Sequence, residues 1–260
     1  MSRRIAGLGA LIDDVDAVLV DQYGVLHDGQ TPFPGARACL ETLAARGVPV
    51  VAVTNSGKTE EPNRARLARL GFPRALFRGL VSSGAVFRAA SVPPGTRVHV
   101  VARDGDRSMI EGLDLCEVQP DAAALVLIAG VAPEETRRAA YAQMLAPLAA
   151  RAVPAICLNP DRTMYTRHGA DFGPGVIAED YAAAGGPVRW IGKPHPEIFE
   201  AALGRLPEVP RARVLMVGDS PAHDIAGAAA LGLKTLLIEA GVQAGTDGAE
   251  PDFRAPSFRW

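Results

Sequence analysis

The chain predicts an α/β protein: a three-layer core on a parallel sheet, with a second, smaller α/β domain inserted into it. Three observations carry this expectation. Short apolar, β-branched runs alternate with helical patterns and Gly/Pro punctuation along all 260 residues, the usual signature of a parallel sheet with crossover helices. Two Pro/Gly clusters, Pro93-Pro94-Gly95 and Gly185-Gly186-Pro187, set off a middle block as a separate folding unit. Several apolar runs outside that block end in compact polar clusters, where α/β sheets bind their ligands.

The first strand is expected at Ala17–Val20 and the first helix over 35–45, stopped by Gly47. A second strand follows over 48–53, with Pro49 near its start, and a polar helix over 64–70 ends at Gly71. The middle block reads as strand 97–102, helix, strand 124–128, helix 133–149, strand 153–158, loop and helix 175–184. The chain then supplies strand 188–191, a helix over 197–203, strand 214–217, a helix over 222–230 and strand 235–238. The expected domains are therefore 1–94 with 188–260 as the core, and 95–187 as the insertion.

Composition narrows the function. An apolar share of 48% and a charged share of 22% are ordinary for a globular chain, and a net charge of −2 offers nothing for nucleic acid or an acidic membrane. No apolar run approaches the roughly 18 residues of a membrane span, and Met1-Ser2-Arg3-Arg4 opens a poor signal peptide, so a cytoplasmic protein is expected. Cys39, Cys116 and Cys157 have no metal-ligand or redox spacing and read as buried, reduced thiols. Only three of the 27 basic residues are lysines, Lys58, Lys193 and Lys234. A lysine in so arginine-rich a chain hints at a place where a compact ammonium is required.

Four expected core strands run into chemistry. They end in Asp21-Gln22-Tyr23-Gly24, Thr54-Asn55-Ser56-Gly57, Lys193-Pro194 and Asp219-Ser220-Pro221, with Asp224 one helical turn further on. Two carboxylates at neighbouring strand ends suit a hard cation such as Mg²⁺, which takes one or two carboxylates plus waters and phosphate oxygens. Lys193 and the cation can neutralise a phosphoryl group while Thr54 and nearby N–H groups donate to its oxygens. A carboxylate beside the metal can attack phosphorus and form an acyl phosphate that water later cleaves. Taken singly, each residue has a plainer role: Asp219 as a helix cap, Lys193 as a surface charge, Asp224 as a loop brace.

Taken together, the stretches Val20-Asp21-Gln-Tyr-Gly-Val-Leu-His-Asp-Gly29, Val53-Thr54-Asn55-Ser56, Gly192-Lys193-Pro-His-Pro196 and Val217-Gly-Asp219-Ser-Pro-Ala-His-Asp224 resemble the haloacid dehalogenase-like (HAD) hydrolases, specifically the class IIA phosphatases. The resemblance runs from about residue 15 to the C-terminus and includes Asn159-Pro160-Asp161. It implies a Rossmann-like core with an α/β cap, Asp21 as nucleophile and metal ligand, and a metal contact from the Tyr23 carbonyl. It further implies Asp219 as a direct Mg²⁺ ligand with Asp224 completing the metal site, phosphoryl orientation by Thr54, Asn55 and Ser56, and charge stabilisation by Lys193. The substrate is then a small phosphorylated metabolite, with homo-oligomers forming through the cap. In the Asn159–His168 segment, which also offers Tyr165, Arg167 and His168, Asp161 and Arg162 are the residues expected to contact its non-phosphate part.

One departure stands out. The resembled phosphatases usually carry a second Asp two residues after the nucleophile, where this chain has Tyr23. General acid–base help is worth about 10²–10⁴-fold, so the reading is a slow phosphatase, one whose substrate has a good leaving group, or one in which His27 or Asp28 takes over. Three rivals remain open: a catalytically silent binding protein of the same fold, a metal-independent dehalogenase with its aromatic residue at this position, and a P-loop protein built on Gly57-Lys58-Thr59.

Overall fold

The computed structural model describes every residue except Met1, Ser91, Arg167, Ala244 and Thr246. It divides into two compact units. The first comprises residues 1–54, 63–81 and 193–260, the second residues 55–62 and 82–192.

The first unit is built on a seven-stranded sheet in the order Arg3–Arg4, Phe253–Ala255, Lys234–Ile238, Val214–Gly218, Ala17–Asp21, Val50–Thr54 and Gly79–Ser82. The central Ala17–Asp21 and Val214–Gly218 strands are buried along their whole length, so they read as continuous apolar runs, as a sheet covered on both faces demands. One face presents Val18, Val20, Ala52, Leu215, Val217 and Leu236 to Leu40, Leu43, Leu67, Phe72 and Phe258. Each such fully buried side chain contributes roughly 1.5–3 kcal/mol.

Strand register places the polar residues. Val20 pairs with Val217 and Ala52, and Asp21 with Val53, all in parallel. Asp21, Thr54 and Asp219 therefore emerge side by side at the carboxyl ends of three adjacent strands.

The second unit carries a five-stranded parallel sheet in the order Val188–Trp190, Ala155–Cys157, Leu125–Ile128, Thr96–Val101 and Leu115–Glu117. Alternation sends Val126 and Ile128 to one core with Tyr141, Leu145 and Ile177. Leu125 and Leu127 go to the other, with Phe87, Val98 and Met109. The helices are Ser83–Ala89, Arg138–Ala150 and Pro174–Ala183. Strands Thr163–Thr166 and Gly169–Phe172 form an antiparallel hairpin.

The compact units change over at 54/55, 62/63, 81/82 and 192/193; the domain limits expected from the punctuation are 94/95 and 187/188. Several element expectations need correction. Expected core strand 188–191 is an edge strand of the second sheet, Val188–Trp190, paired with Ala155–Cys157; a three-residue strand carries no label of the sheet it joins. No α-helix follows Thr96–Val101. A tight turn with Asp104 and Gly105 at positive φ (56° and 64°) leads instead, past Gly112, to the edge strand Leu115–Glu117.

The helix expected from Pro133 starts at Arg138, because Glu134 is drawn out of the helix to pair with Arg103 at 2.6 Å. The helix expected from Arg64 starts at Glu60, with Pro62 tolerated in its first turn. Strands Arg3–Arg4, Gly79–Ser82 and Phe253–Ala255 carry no clear signal in the sequence and are additions to the expected set. Cys116 is exposed, while Cys39 and Cys157 are buried and burial pushes both thiols up to about 12.

Candidate active site

The site in the first unit is a knot of charge almost closed to solvent. Lys193 Nζ lies 2.7 Å from Asp21 Oδ1 and 2.7 Å from Asp224 Oδ1. Asp224 Oδ2 accepts backbone N–H bonds from Asp219 at 3.2 Å and Ser220 at 3.0 Å. Asp219 Oδ2 accepts the Gln243 N–H at 3.0 Å. Oxygens of Asp21, Asp219 and Asp224 all lie within 4.8 Å of one another. Asp21 is 8% exposed, Lys193 3%, and both Asp219 and Asp224 are fully buried.

Local backbone makes this crowding feasible. Gly24 has φ +86°, and a Cβ there would stand 2.0 Å from Asp219 Oδ2. At Gly218 a Cβ would stand 2.2 Å from Asp224 Cβ. Gly24→Ala is expected to cost about 1–2 kcal/mol from the left-handed backbone alone, and more from the collision. Urea unfolding checks this, and an unchanged midpoint would contradict it.

Three buried carboxylates lie together, and one ammonium pairs with two of them, Asp21 and Asp224. Burial pushes the Asp21 carboxyl well above the usual carboxylate range; Lys193 opposes that push, and Asp224 and Asp219 reinforce it. Burial by itself would lower Lys193, but Asp21 and Asp224 outweigh it and its pKa is raised. Asp21 is raised first by burial and then by its acidic neighbours, and Lys193 is raised by Asp21 and Asp224; a divalent cation would offset the clustered negative charge. An all-oxygen, anionic donor set is the chemistry hard cations select. Asp21, Asp219 and Asp224 together could hold such an ion. Both Asp224 oxygens are engaged, one by Lys193 and one by the backbone of the 219–220 turn.

Other expected residues are placed differently. Thr54 ends its strand, half-buried. Asn55 is 3% exposed, belongs to the second unit, and donates from Nδ2 to Asp161 Oδ1 at 2.8 Å. Ser56 turns inward on its own loop, its Oγ accepting the Lys58 N–H at 3.3 Å. Arg162 is exposed and lies 3.5 Å from Glu179. Tyr165 is 38% exposed and His168 is exposed. Arg167 lies outside the described residues.

Tyr23 is half-buried, edge-on to the His27 ring at 6.1 Å between centroids. Gly29, at φ +98°, leaves room for the Tyr23 ring, which a Cβ would approach to 3.1 Å. His27 Nδ1 accepts the Gly29 N–H at 3.0 Å, so the ring proton sits on Nε2, and burial lowers the imidazole to about 4. His27 is therefore neutral near pH 7. Asp28 is exposed, its carboxylate bonded by the N–H groups of Gln30 and Thr31 and by the Thr31 hydroxyl. Those bonds, the Thr31 N–H foremost, hold it below its ordinary value, which suits a turn more than a proton donor. Lys58 lies 3.7 and 3.9 Å from Asp104 and Asp106, and the Thr59 N–H is bonded to Ser108. That loop is committed to the second unit and does not form an anion cradle.

Gly24, Gly218, Gly241 and Gln243 join the site without having been expected in it. The first two adjoin the aspartates they accommodate and are within reach of sequence reasoning. The 241–243 segment has no periodic or motif signal.

Known proteins share sequence and fold with this chain. The family description "Haloacid dehalogenase-like hydrolase" matches residues 18–116, and a second, HAD-hydrolase-like, matches 190–259. Glycerol-3-phosphate phosphatase of Gallus gallus is 30% identical over 269 residues, covering 92% of this chain and 85% of that protein. The chain belongs to the haloacid dehalogenase-like hydrolases, class IIA.

Among solved structures, a haloacid dehalogenase-like hydrolase from Brucella suis superposes with TM-score 0.90 at 31% identity, covering 98% of this chain and 99% of that one. Glycerol phosphate phosphatase from Mycobacterium tuberculosis, solved in complex with calcium, gives 0.70 at 26% identity, covering 89% and 68%. This HAD member has a Rossmann-like core and an inserted cap, and phosphatase is its enzyme class. Its three buried aspartates fit a divalent metal.

Proposed function

We propose that this chain is a Mg²⁺-dependent phosphohydrolase of a small phosphorylated metabolite, working through a phosphorylated Asp21. The observation that carries the reading is the buried cluster of three carboxylates at the strand ends, two of them paired with Lys193. Asp21 is the nucleophile. Lys193 keeps its carboxylate oriented and faces charge that develops on the phosphoryl oxygens. Thr54, one strand over, offers a hydroxyl to the same group. Asp219, Asp21 and the Tyr23 carbonyl hold the metal, and Asp224 secures both Lys193 and the turn that carries Asp219. When bound, Mg²⁺ supplies Lewis-acid neutralisation of the phosphoryl oxygens.

The glycerol-phosphate activity in the names of two relatives favours a phosphorylated polyol or similarly small organic phosphate. Arg162, on the cap loop, is the proposed contact to its non-phosphate part, with Asp161 beside it. No helix among the described residues is long and apolar enough to cross a membrane; we place the enzyme in the cytoplasm, as a homo-oligomer formed through the cap.

Tyr23 shapes the kinetics. A neutral phenol lacks the carboxylate that would take a proton from the water that cleaves phospho-Asp21, so turnover is slow and favours good leaving groups. Tyr23→Asp is expected to raise the rate on poor leaving groups about 10²-fold or more and on p-nitrophenyl phosphate much less. Equal gains on both substrates would refute this account of Tyr23.

The direct experiment is Mg²⁺-dependent phosphate release from p-nitrophenyl phosphate and acetyl phosphate, with intact-mass detection of a phosphoryl adduct. Release or an adduct in the wild type supports the mechanism. Absence of both would move the reading to a silent fold or, after a metal-free haloacid assay, to dehalogenation.

A further inference from the structure

Asn55 and Asp161, 106 residues apart, are hydrogen-bonded to each other. The chain leaves the first unit after Thr54 and returns to it at Lys193, so Asn55 is the first residue of one crossing and Gly192 the last of another. These two positions touch. Gly192 has φ +128°, and a Cβ there would stand 2.6 Å from Ser83 Oγ, 2.7 Å from Pro160 Cδ and 2.8 Å from Asn55 Oδ1. Ser83 and Asn55 are both buried, and Pro160 immediately precedes Asp161.

The Asp161 end of this contact is rigid. Its N–H bonds to Asn159 Oδ1 at 3.1 Å, and its carbonyl accepts the Gly175 N–H at 3.0 Å. The Arg162 carbonyl accepts the Gly173 N–H at 2.7 Å. Glycines 173 and 175 are required for this approach, since a Cβ at either would lie 2.2 Å from a backbone oxygen of the 160–161 segment. A carboxylate on such a fixed loop sets the orientation of the carboxamide it holds: Nδ2 toward Asp161, Oδ1 toward Gly192.

We infer that Asp161 is a positioning residue for the phosphoryl-transfer site, acting through Asn55 on the Gly192–Lys193 junction. This rests on the proposed phosphatase mechanism and revises one part of it. The clamp fixes the two chain segments whose next residues are Thr54 and Lys193, so loosening it displaces groups that face the phosphoryl oxygens. It leaves recognition of the leaving group to other residues. Displacements near 1 Å in such groups cost about 10²-fold in rate.

The test uses Asn55→Ala, Asp161→Ala, their double variant, Asp161→Asn, and the exchanged pair Asn55→Asp with Asp161→Asn. Each is assayed with Mg²⁺ on p-nitrophenyl phosphate and acetyl phosphate, and by hydrogen exchange of peptides spanning 156–162 and 188–193. Both alanine variants are expected to lose kcat by the same factor, about 10- to 100-fold, on both substrates, with KM little changed. The double variant loses no more than either single one, because both break the same bond. Exchange rises in both peptides. Asp161→Asn, which keeps an acceptor oxygen, loses less than Asp161→Ala, and the exchanged pair recovers both rate and protection.

A loss that depends on the leaving group, or losses that multiply in the double variant, would overturn the inference and return Asp161 to substrate contact. Unchanged exchange in Asp161→Ala would overturn it as well. A wild type without turnover or adduct would instead remove the phosphatase mechanism, and this inference with it.

Discussion

Replacing Asp21 by asparagine is expected to remove turnover, by roughly 10⁴-fold or more, and to leave the fold intact. The carboxamide has nearly the same shape, so packing at the end of the buried Ala17–Asp21 strand is kept. What disappears is an oxygen that can attack phosphorus and one of the two carboxylates paired with Lys193.

The variant therefore separates chemistry from stability. No phosphoryl adduct should form on it, and its metal-free form should be at least as stable as the wild type near neutral pH. The sign comes from burial: the folded Asp21 carboxyl is raised, so the folded state holds a proton that the unfolded chain releases near its ordinary value of about 3.9. Stability from that proton is full below the ordinary value and is lost as pH rises through the raised one. Mg²⁺-dependent turnover surviving in Asp21→Asn, relative to a mass-verified wild type, would remove Asp21 from the nucleophile role.

Lys193→Met should have the largest structural effect. It preserves length and apolar stem but leaves Asp21 and Asp224 without the ammonium that bridges them at 2.7 Å on each side. Breaking a buried pair by removing one partner costs about 3–5 kcal/mol, and activity should fall with it because the ammonium that faces the phosphoryl oxygens is gone.

The loss should depend on pH. Without Lys193, which opposes the rise, the Asp21 carboxyl holds its proton more tightly still, so the variant recovers stability toward pH about 5 and loses it toward pH about 8. Mg²⁺ should restore part of it at the higher pH and chelation should take it away, in urea titrations followed at both values. A deficit equal at every pH and indifferent to Mg²⁺ would show that the ammonium matters only for packing. In the wild type the raised Lys193 keeps its pairing through neutral pH, and that contribution fades only in alkali, above its ordinary value of about 10.4.

Much of the molecule is legible in the chain. Ala17-Val-Leu-Val20 and Val214-Leu-Met-Val217 announce buried parallel strands because both faces are covered, and the polar residues after them mark the ligand-binding edge. Asp21, Thr54, Lys193, Asp219 and Asp224 can all be named from that logic. The misplaced Val188–Ile191 strand, the absent helix after Thr96–Val101 and the exposed Cys116 share one cause: edge strands and turns bury too little surface for periodicity to mark them. Asp161 is recognisable as a polar loop residue, but its partner is not.

The local pattern, then, determined the kind of fold, the strand ends that carry the chemistry and the acid–ammonium set itself, because burial periodicity and turn chemistry act over a few residues. Tertiary structure alone decided that Asp21, Lys193 and the Asp219–Asp224 turn, three segments far apart in the chain, meet in one buried cluster. It also decided that Gly24 and Gly241 open the space for Asp219, and that Asn55 meets Asp161 beside Gly192. Those outcomes depend on sheet register and on close approach between segments far apart in the chain. Neither leaves a periodic trace along the sequence, since the energy of such contacts arises only once the intervening chain has folded.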